Sequence, residues 1–289
     1  MPERGAGTNV VIAAELAKQA HRARGWVTLA AMAAIPAAIV LVIAATRPGL
    51  AERVGDYGSV VTDTSGLTLP LISLNAMLLF MLPLAVAVFA GECVAGEAAW
   101  GSLRYLLARP VSRVRVLGAK AAVAALYSLA AVLTVVAVAL LCGALAFGLH
   151  PLTVLDLQHT TPFFVASTRL SPLSAIGRLA LAAAFVAATL SSTFAFALLL
   201  STITARPFSA VAGGLGLGLV SRALDNVPGL HALSPWLPVT DQASNLWTGF
   251  FADPMQTVGV AHALLVQALY GAVLAAAAVW WFARSDVLA

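Results

Sequence analysis

The chain has 289 residues, of which 61% are hydrophobic and 10% charged, with a mean hydropathy of +0.95 and a net charge of +4. Soluble domains carry about 25% charged residues, so a chain this apolar cannot cover itself with polar surface in water and belongs in lipid. A nucleic-acid role is excluded as well, because the basic residues lie in short segments between apolar runs and not on one soluble face. The chain therefore reads as a single membrane domain, 1–289. Its two cysteines, Cys93 and Cys142, make no spaced framework and read as free buried thiols, and no metal-ligand set is spelled out.

The first 25 residues are mixed and polar, and the apolar run after them is too long for a signal-peptide core, so it reads as an uncleaved first span. Within that start, residues 9–24 form a separate helix. Glu15, Lys18, Gln19 and Arg22 make one polar stripe at helical spacing, and Val11, Ala13, Ala14, Leu16, Ala17 and Ala20 fill the remainder. Thr8 or Asn9 is placed to cap it. The pattern predicts an amphipathic helix along the cytoplasmic membrane surface.

A bilayer core about 30 Å thick needs roughly 20 apolar helical residues. Runs of that kind lie at 26–46, 68–90, 121–147, 179–201, 208–222 and 258–283, which predicts an all-α membrane protein with six transmembrane helices. The fifth run is short and either continues past Arg222 or stops part-way. Pro36 and Pro83 fall in mid-span, where proline kinks a helix.

Between the second and third runs, the segment 92–120 carries the most information. Trp100, Leu103 and Leu107 are spaced i, i+3, i+7 and share one apolar helical face, from which Arg104 and Arg109 fall away. Pro110 disfavours helix at Arg109 and ends the element. Ser112 can cap a second helix running through Arg113 and Lys120 into span three. Two readings stand: a rigid cytoplasmic knuckle that transmits force between a soluble partner and two spans, or a solvated basic loop that only sets topology.

Two long connections fall on the other side. Residues 148–177 contain Pro151, Pro162 and Pro172 and no span-length run. Residues 223–257 are broken early by Pro228, Pro235 and Pro238. Thr240 or Asp241 can then cap a short helix with Ala243, Leu246, Trp247 and Phe250 on one face. With Trp236 and Phe251 this makes an aromatic, half-buried element at the outer interface, able to dip into the membrane where protein covers it.

With six spans, the side holding both termini carries eleven Lys/Arg and the opposite side five. The positive-inside rule places the eleven, and hence both termini, in the cytoplasm.

Several chemistries are missing. No Gly-x-x-x-x-Gly-Lys-Ser/Thr loop occurs; Gly213, Gly214, Gly216 and Gly218 sit inside an apolar run with no lysine and no preceding strand. Gly214 and Gly218 instead have the spacing of a close helix-packing pair. No charged residue falls near the middle of a run, which counts against an ion-coupled carrier or an aspartate-based membrane protease. Asn75, Ser191, Ser192, Thr193, His262 and Gln267 are the remaining polar side chains. They either line a pathway or hydrogen-bond between helices and to their own backbone. No acid, base and nucleophile can be assembled from one membrane side, so the chain reads as a non-enzyme without a cofactor of its own.

At 97–120 the sequence resembles the type-2 ATP-binding-cassette (ABC) permeases. These carry an acidic residue after the second span, then a Gly-Thr or Gly-Ser pair, Leu-Arg, a Leu-Leu pair, Pro-Val-Ser-Arg and a lysine. The matching residues are Glu97, Gly101, Ser102, Leu103, Arg104, Leu106, Leu107, Pro110, Val111, Ser112, Arg113 and Lys120. Ala98, Ala99 and Trp100 separate the acid from the glycine, where the family's spacing is often shorter. Further likenesses are the N-terminal helix ending at Arg22, Arg24 and Trp26, the Leu200-Ser201-Thr202-Ile203-Thr204 turn, the Leu233 to Pro238 segment, and the tail from Phe282 to Asp286.

The resemblance implies six helices per subunit, an N-terminal connecting helix (9–24), a cytoplasmic coupling helix within 92–120 and short re-entrant helices within 223–257, before the last span. It implies a permease dimer, with a second copy or a homologous permease, and two copies of a separate ABC ATPase that hold ATP and Mg. Glu97, Trp100, Leu103, Arg104, Leu107, Arg109, Pro110 and Arg113 would then couple the permease to that ATPase. The implied function is export of a small molecule, lipid or peptide across the plasma membrane. The alternatives are a secondary, non-ATP carrier and a non-transporting membrane scaffold.

Overall fold

In lipid a backbone must satisfy its own hydrogen bonds, so long apolar runs fold as helices. A computed structural model describes residues 8–53, 65–101, 112–156, 166–227, 229–230, 233–240 and 246–284. Among them nine α-helices form: α1 (Thr8–Ala20), α2 (Ala23–Arg53), α3 (Thr68–Leu78), α4 (Met81–Ala99), α5 (Arg113–Phe147), α6 (Pro172–Thr189), α7 (Ser191–Ile203), α8 (Pro207–Asp225) and α9 (Val260–Arg284). Six stretches are long and apolar enough to cross a membrane: Ala23–Thr46, Met81–Ala99, Arg113–Phe147, Pro172–Ile203, Pro207–Asp225 and Val260–Arg284. Each contains or overlaps one of the six runs read from the sequence. The helix α1 already includes Thr8 and Asn9, so neither stands at the expected cap position before it.

Buried share separates the centre from the rim. The most apolar windows of α4 and of α6–α7 are 67% and 56% buried, against 17%, 17% and 22% for those of α2, α8 and α9. The first two are therefore the core around which the others turn exposed leucine, valine and tryptophan faces outward. Close packing within that core rests on small residues. A Cβ on Gly91 of α4 would lie 3.0 Å from the backbone nitrogen of Val211, and one on Gly214 of α8 would lie 2.8 Å from the Cβ of Ala197 and 3.2 Å from that of Ala87. Gly218, one turn on, is open, with Val239 Cγ1 the nearest atom at 4.0 Å.

Two spans are broken, where the sequence predicts a kink in one of them. The helix stops at Leu78 and restarts at Met81, with Phe80 at φ −142° between. Pro83 explains the break: its ring crowds the carbonyl of Leu79, four residues earlier, and it has no N–H to offer that carbonyl. Pro36, by contrast, sits inside α2, which stays helical through Ala23–Arg53. The second break falls at Leu190 between α6 and α7, where the Thr189 hydroxyl donates to the Val186 carbonyl (2.8 Å) and competes with the helical bond.

The connection 148–177 holds structure the proline count did not suggest. Strands β1 (Leu152–Asp156) and β2 (Ala166–Leu170) pair antiparallel, Leu152 opposite Leu170, and both leucines are buried. Just before β1, the end of α5 is fastened to the start of α3. The Gly66 N–H donates to the Gly148 carbonyl (2.9 Å), and a Cβ on Gly143 would lie 2.5 Å from the Gly66 oxygen. In 223–257 the aromatic element forms as a 3-10 turn, Leu246–Phe251, with Trp247, Phe250 and Phe251 buried. The sequence predicts a short capped helix here; Asp241 and Ala243, like Pro228, lie outside the described residues.

Candidate functional site

At one end of the bundle the polar stripe of α1 meets two charges carried by α4 and α5. Glu97, on the last turn of α4, is 1% exposed. Its Oε1 accepts from Lys18 of α1 and stands 2.7 Å from Lys120 Nζ of α5 and 3.6 Å from Arg22 Nη2 of α1. Lys120, also buried, reaches Glu15 Oε1 of α1 at 3.1 Å. Outside this knot, Arg24 Nη1 lies 3.3 Å from Glu92 Oε1. Three helices are thus cross-linked by charge, and α1 turns its stripe toward the protein while Val10 and Leu16 stay exposed. The helix α5 has 35 residues, about 50 Å of helix against a hydrocarbon core of about 30 Å, so its first turns, with Lys120, can extend beyond that core.

The helix that follows the break at Phe80 reaches further into 92–120 than the apolar run 68–90 predicts. The helix α4 runs unbroken through Glu92 and Glu97 to Ala99, and the cations around Glu97 offset the cost of carrying it inside. Trp100 is the C-cap and Gly101, at φ +67°, supplies the left-handed residue that stops the helix. Trp100 therefore stands at a helix end, 79% exposed. Leu103, Arg104, Leu107, Arg109 and Pro110 lie outside the described residues. Ser112 holds the N-cap position of α5 in extended conformation, although its side chain accepts no capping bond, and Arg113 opens that helix.

One residue with no spacing signal of its own ties the knot to the core. The buried Ser201 hydroxyl of α7 accepts from the backbone N–H groups of Val94 (3.0 Å) and Ala95 (2.9 Å), less than a turn before Glu97.

Toward the other end, a small cleft of about 30 Å³ lies between the α3–α4 break, the α6–α7 bend, α8, residues 238–240 and α9. Of the six polar residues read from the sequence, Thr193 and Gln267 line it. The others go elsewhere. Ser192 donates to the Pro238 carbonyl (3.4 Å), Ser191 faces the Gln267 carbonyl (3.5 Å), His262 Nε2 pairs with the Pro235 carbonyl (2.9 Å), and Asn75 is exposed on α3. Gly214 and Gly218 both border the cleft. Sequence reasoning missed Thr189 as a lining residue, took Thr240 only as a helix cap, and took Arg222 only as the end of the fifth run. Arg222 lies within α8 and its Nη1 donates to the Leu79 carbonyl (2.7 Å), the one Pro83 cannot satisfy.

Side chains of α9 hold the segment before it. Gln267 Nε2 donates to the Pro238 carbonyl, the Tyr270 hydroxyl to that of Trp236 (3.1 Å), and His262 packs edge-on against Trp236. Arg178 of α6 donates to the carbonyls of Phe250 (3.0 Å) and Ala252 (2.6 Å). Among the described residues no group of three or more His, Cys, Asp or Glu could hold a metal, and both cysteines are free thiols.

Against known proteins, a family model described as "ABC-2 family transporter protein" matches residues 11–207, from α1 to the start of α8. No curated protein matches the chain.

Proposed function

Because the chain belongs to the ABC-2 family of transporter proteins, a multi-pass membrane family that normally works with an ABC ATPase, we propose that it is the permease subunit of an ATP-driven exporter. ATP and Mg are bound and hydrolysed on a separate ATPase, present in two copies, and the permease pairs with a second copy or a homologue. The cargo, a small molecule, lipid or peptide, leaves the cytoplasm across the plasma membrane.

The observation that carries this reading is the buried charge knot. It joins α1, α4 and α5 into one stiff end-piece beside the exposed Trp100. A stiff end-piece passes on a push from a soluble partner, whereas a loose loop absorbs it. In this reading α1 is the connecting helix and the segment following Trp100 is the coupling element. The turns at Ser234–Trp236 and Leu246–Phe251 are the re-entrant part, held against α9 and α6.

Co-expression with its ABC ATPase tests the assignment. The purified pair is expected to hydrolyse ATP, the permease alone to hydrolyse none, and cargo release into the outer medium to need both. Transport by the chain without an ATPase would favour a secondary carrier instead.

Both termini are placed in the cytoplasm, on the strength of the eleven-to-five distribution of Lys/Arg. Single cysteines at Arg4 and Ala289, in a background with Cys93 and Cys142 replaced, should resist impermeant maleimide in intact cells and react after lysis. Labelling of either from outside overturns the six-span orientation.

A further inference from the structure

We infer that the small cleft between the α3–α4 break and α9 is a water site, holding about one or two ordered molecules hydrogen-bonded to Gln267 and Thr193. The inference rests on the geometry alone and stands apart from the exporter reading.

Three observations converge. The first is an acceptor short of a donor. Gln267 of α9 is 4% exposed and lines the cleft. Its Nε2 donates to the Pro238 carbonyl, and only the nitrogen of an amide can do so, which turns Oε1 the other way. That Oε1 is buried, and no donor among the described residues reaches it. A buried acceptor is costly to leave unmade.

The second is size and lining. The open space is about 30 Å³. One water needs about 10–15 Å³ of such space, whereas a benzene ring needs about 150 Å³. An apolar guest is therefore too large, and water fits. Thr193 of α7 and Thr189 at the α6–α7 bend, both buried, line the space with Gln267. The Thr189 hydroxyl donates to the Val186 carbonyl and keeps lone pairs to accept with, and that of Thr193 can donate or accept. A buried water makes about two to four hydrogen bonds, a number that Gln267 Oε1 and these two hydroxyls can supply.

The third is place. Both interrupted spans meet at the cleft, through Leu79 and Phe80 at the α3–α4 break and Leu190 at the α6–α7 bend. Leu78 lies ten residues, about 15 Å along the helix, beyond Thr68, so the first of these breaks is well inside the bundle. Interrupted helices are tolerated at such depth where neighbouring side chains or ordered water serve the freed backbone groups. A side chain does so at the Leu79 carbonyl, which Arg222 reaches. Water does so without one. A water bridge also holds nearly as well as a direct bond and re-forms after a small shift. The outer segment, α7 and α9 can therefore move slightly at the two interruptions while Gln267 keeps a partner.

The test is X-ray radiolysis of the whole permease in phosphatidylcholine nanodiscs, read by mass spectrometry. Hydroxyl radicals made from bound water oxidise the side chains beside it. Leu78 lines the cleft, whereas Leu74, one turn earlier on the same helix, and Leu198 on α7 do not. All three are buried, at 4%, 0% and 4% exposure. Leu78 should be oxidised about fivefold faster than either control if water stands beside it. Gln267→Leu should bring Leu78 down to the control rate, and Thr193→Val should slow it. Gly218→Leu should also bring it down, because a side chain at that open position near Val239 fills the cleft. Thermal unfolding checks that each variant is folded, and if Gln267→Leu is not, Gly218→Leu carries the comparison. Equal rates at Leu78, Leu74 and Leu198 in the wild type, or a Leu78 rate that the folded variants leave unchanged, overturns the inference. So does a density map in which a lipid or detergent chain fills the cleft, whereas water density within hydrogen-bond reach of Gln267 Oε1 supports it. No ATPase takes part, so failure leaves the exporter reading untouched.

Discussion

Replacing Glu97 by Gln is expected to cost about 3–5 kcal/mol of stability and to abolish coupling to ATP hydrolysis. The carboxylate is buried and gathers Lys120, Lys18 and Arg22. Removing one partner of a buried pair leaves the other charge in a poor solvent, and that penalty is of this size. Lys120 suffers most, being buried itself and left with Glu15 alone among its ion-pair partners. Lys18 and Arg22 are about a third exposed and can turn to water. The double variant Glu97→Gln, Lys120→Met removes both buried charges and should recover about half of the loss. Thermal unfolding in detergent reads this directly. If Glu97→Gln unfolds within about 2 °C of the wild type, the knot contributes no rigidity and the coupling reading loses its main support.

Replacing Trp100 by Ala is expected to weaken association with the ATPase about 30-fold, roughly 2 kcal/mol, at unchanged levels in the membrane. A tryptophan 79% exposed at the end of a buried helix, next to a rigid charge knot, is well placed to anchor a partner. Aromatic anchors dominate such interfaces, whereas a rim charge contributes about 1 kcal/mol or less. Arg109→Ala should therefore weaken association by fivefold or less. Titration of ATPase onto nanodisc-embedded permease gives both constants. Wild-type affinity in the Trp100→Ala variant would remove the residue from the interface.

Much of the architecture was legible because lipid leaves the chain few choices. Span-length apolar runs must be helices, and the six runs correspond to the six membrane-length helical stretches. Placement of polar residues was less legible, for a physical reason: periodicity tells which face a residue occupies but not what stands opposite. Glu97 reads as part of the cytoplasmic segment and Lys120 as part of the helix entering span three, and their burial depends on the stripe on α1, 75 or more residues earlier in the chain. Arg222 reads as the outer end of the apolar run 208–222. Its real neighbour, Leu79, is defined by a proline 139 positions away. Ser201 stands out only as part of the Leu200–Thr204 likeness, and nothing in that pattern shows that its hydroxyl bridges to another helix's backbone.

The break at Leu79–Phe80 divides one crossing into two bodies with different allegiances. The outer piece, α3, is stapled to α5 through Gly66 and Gly148, while α4 packs closely on α7 and α8 through Gly91, Ala87 and Ser201. Arg222 reaches across the joint to the Leu79 carbonyl. Mechanically, α4 is a lever with its fulcrum at Phe80 and its handle at Glu97, an arm of about 26 Å. A tilt of about 10° swings the handle by roughly 4–5 Å over that arm and leaves the fulcrum almost still. Displacement at the charged end thus reaches the cleft geared down into a small, forceful change of angle beside Arg222.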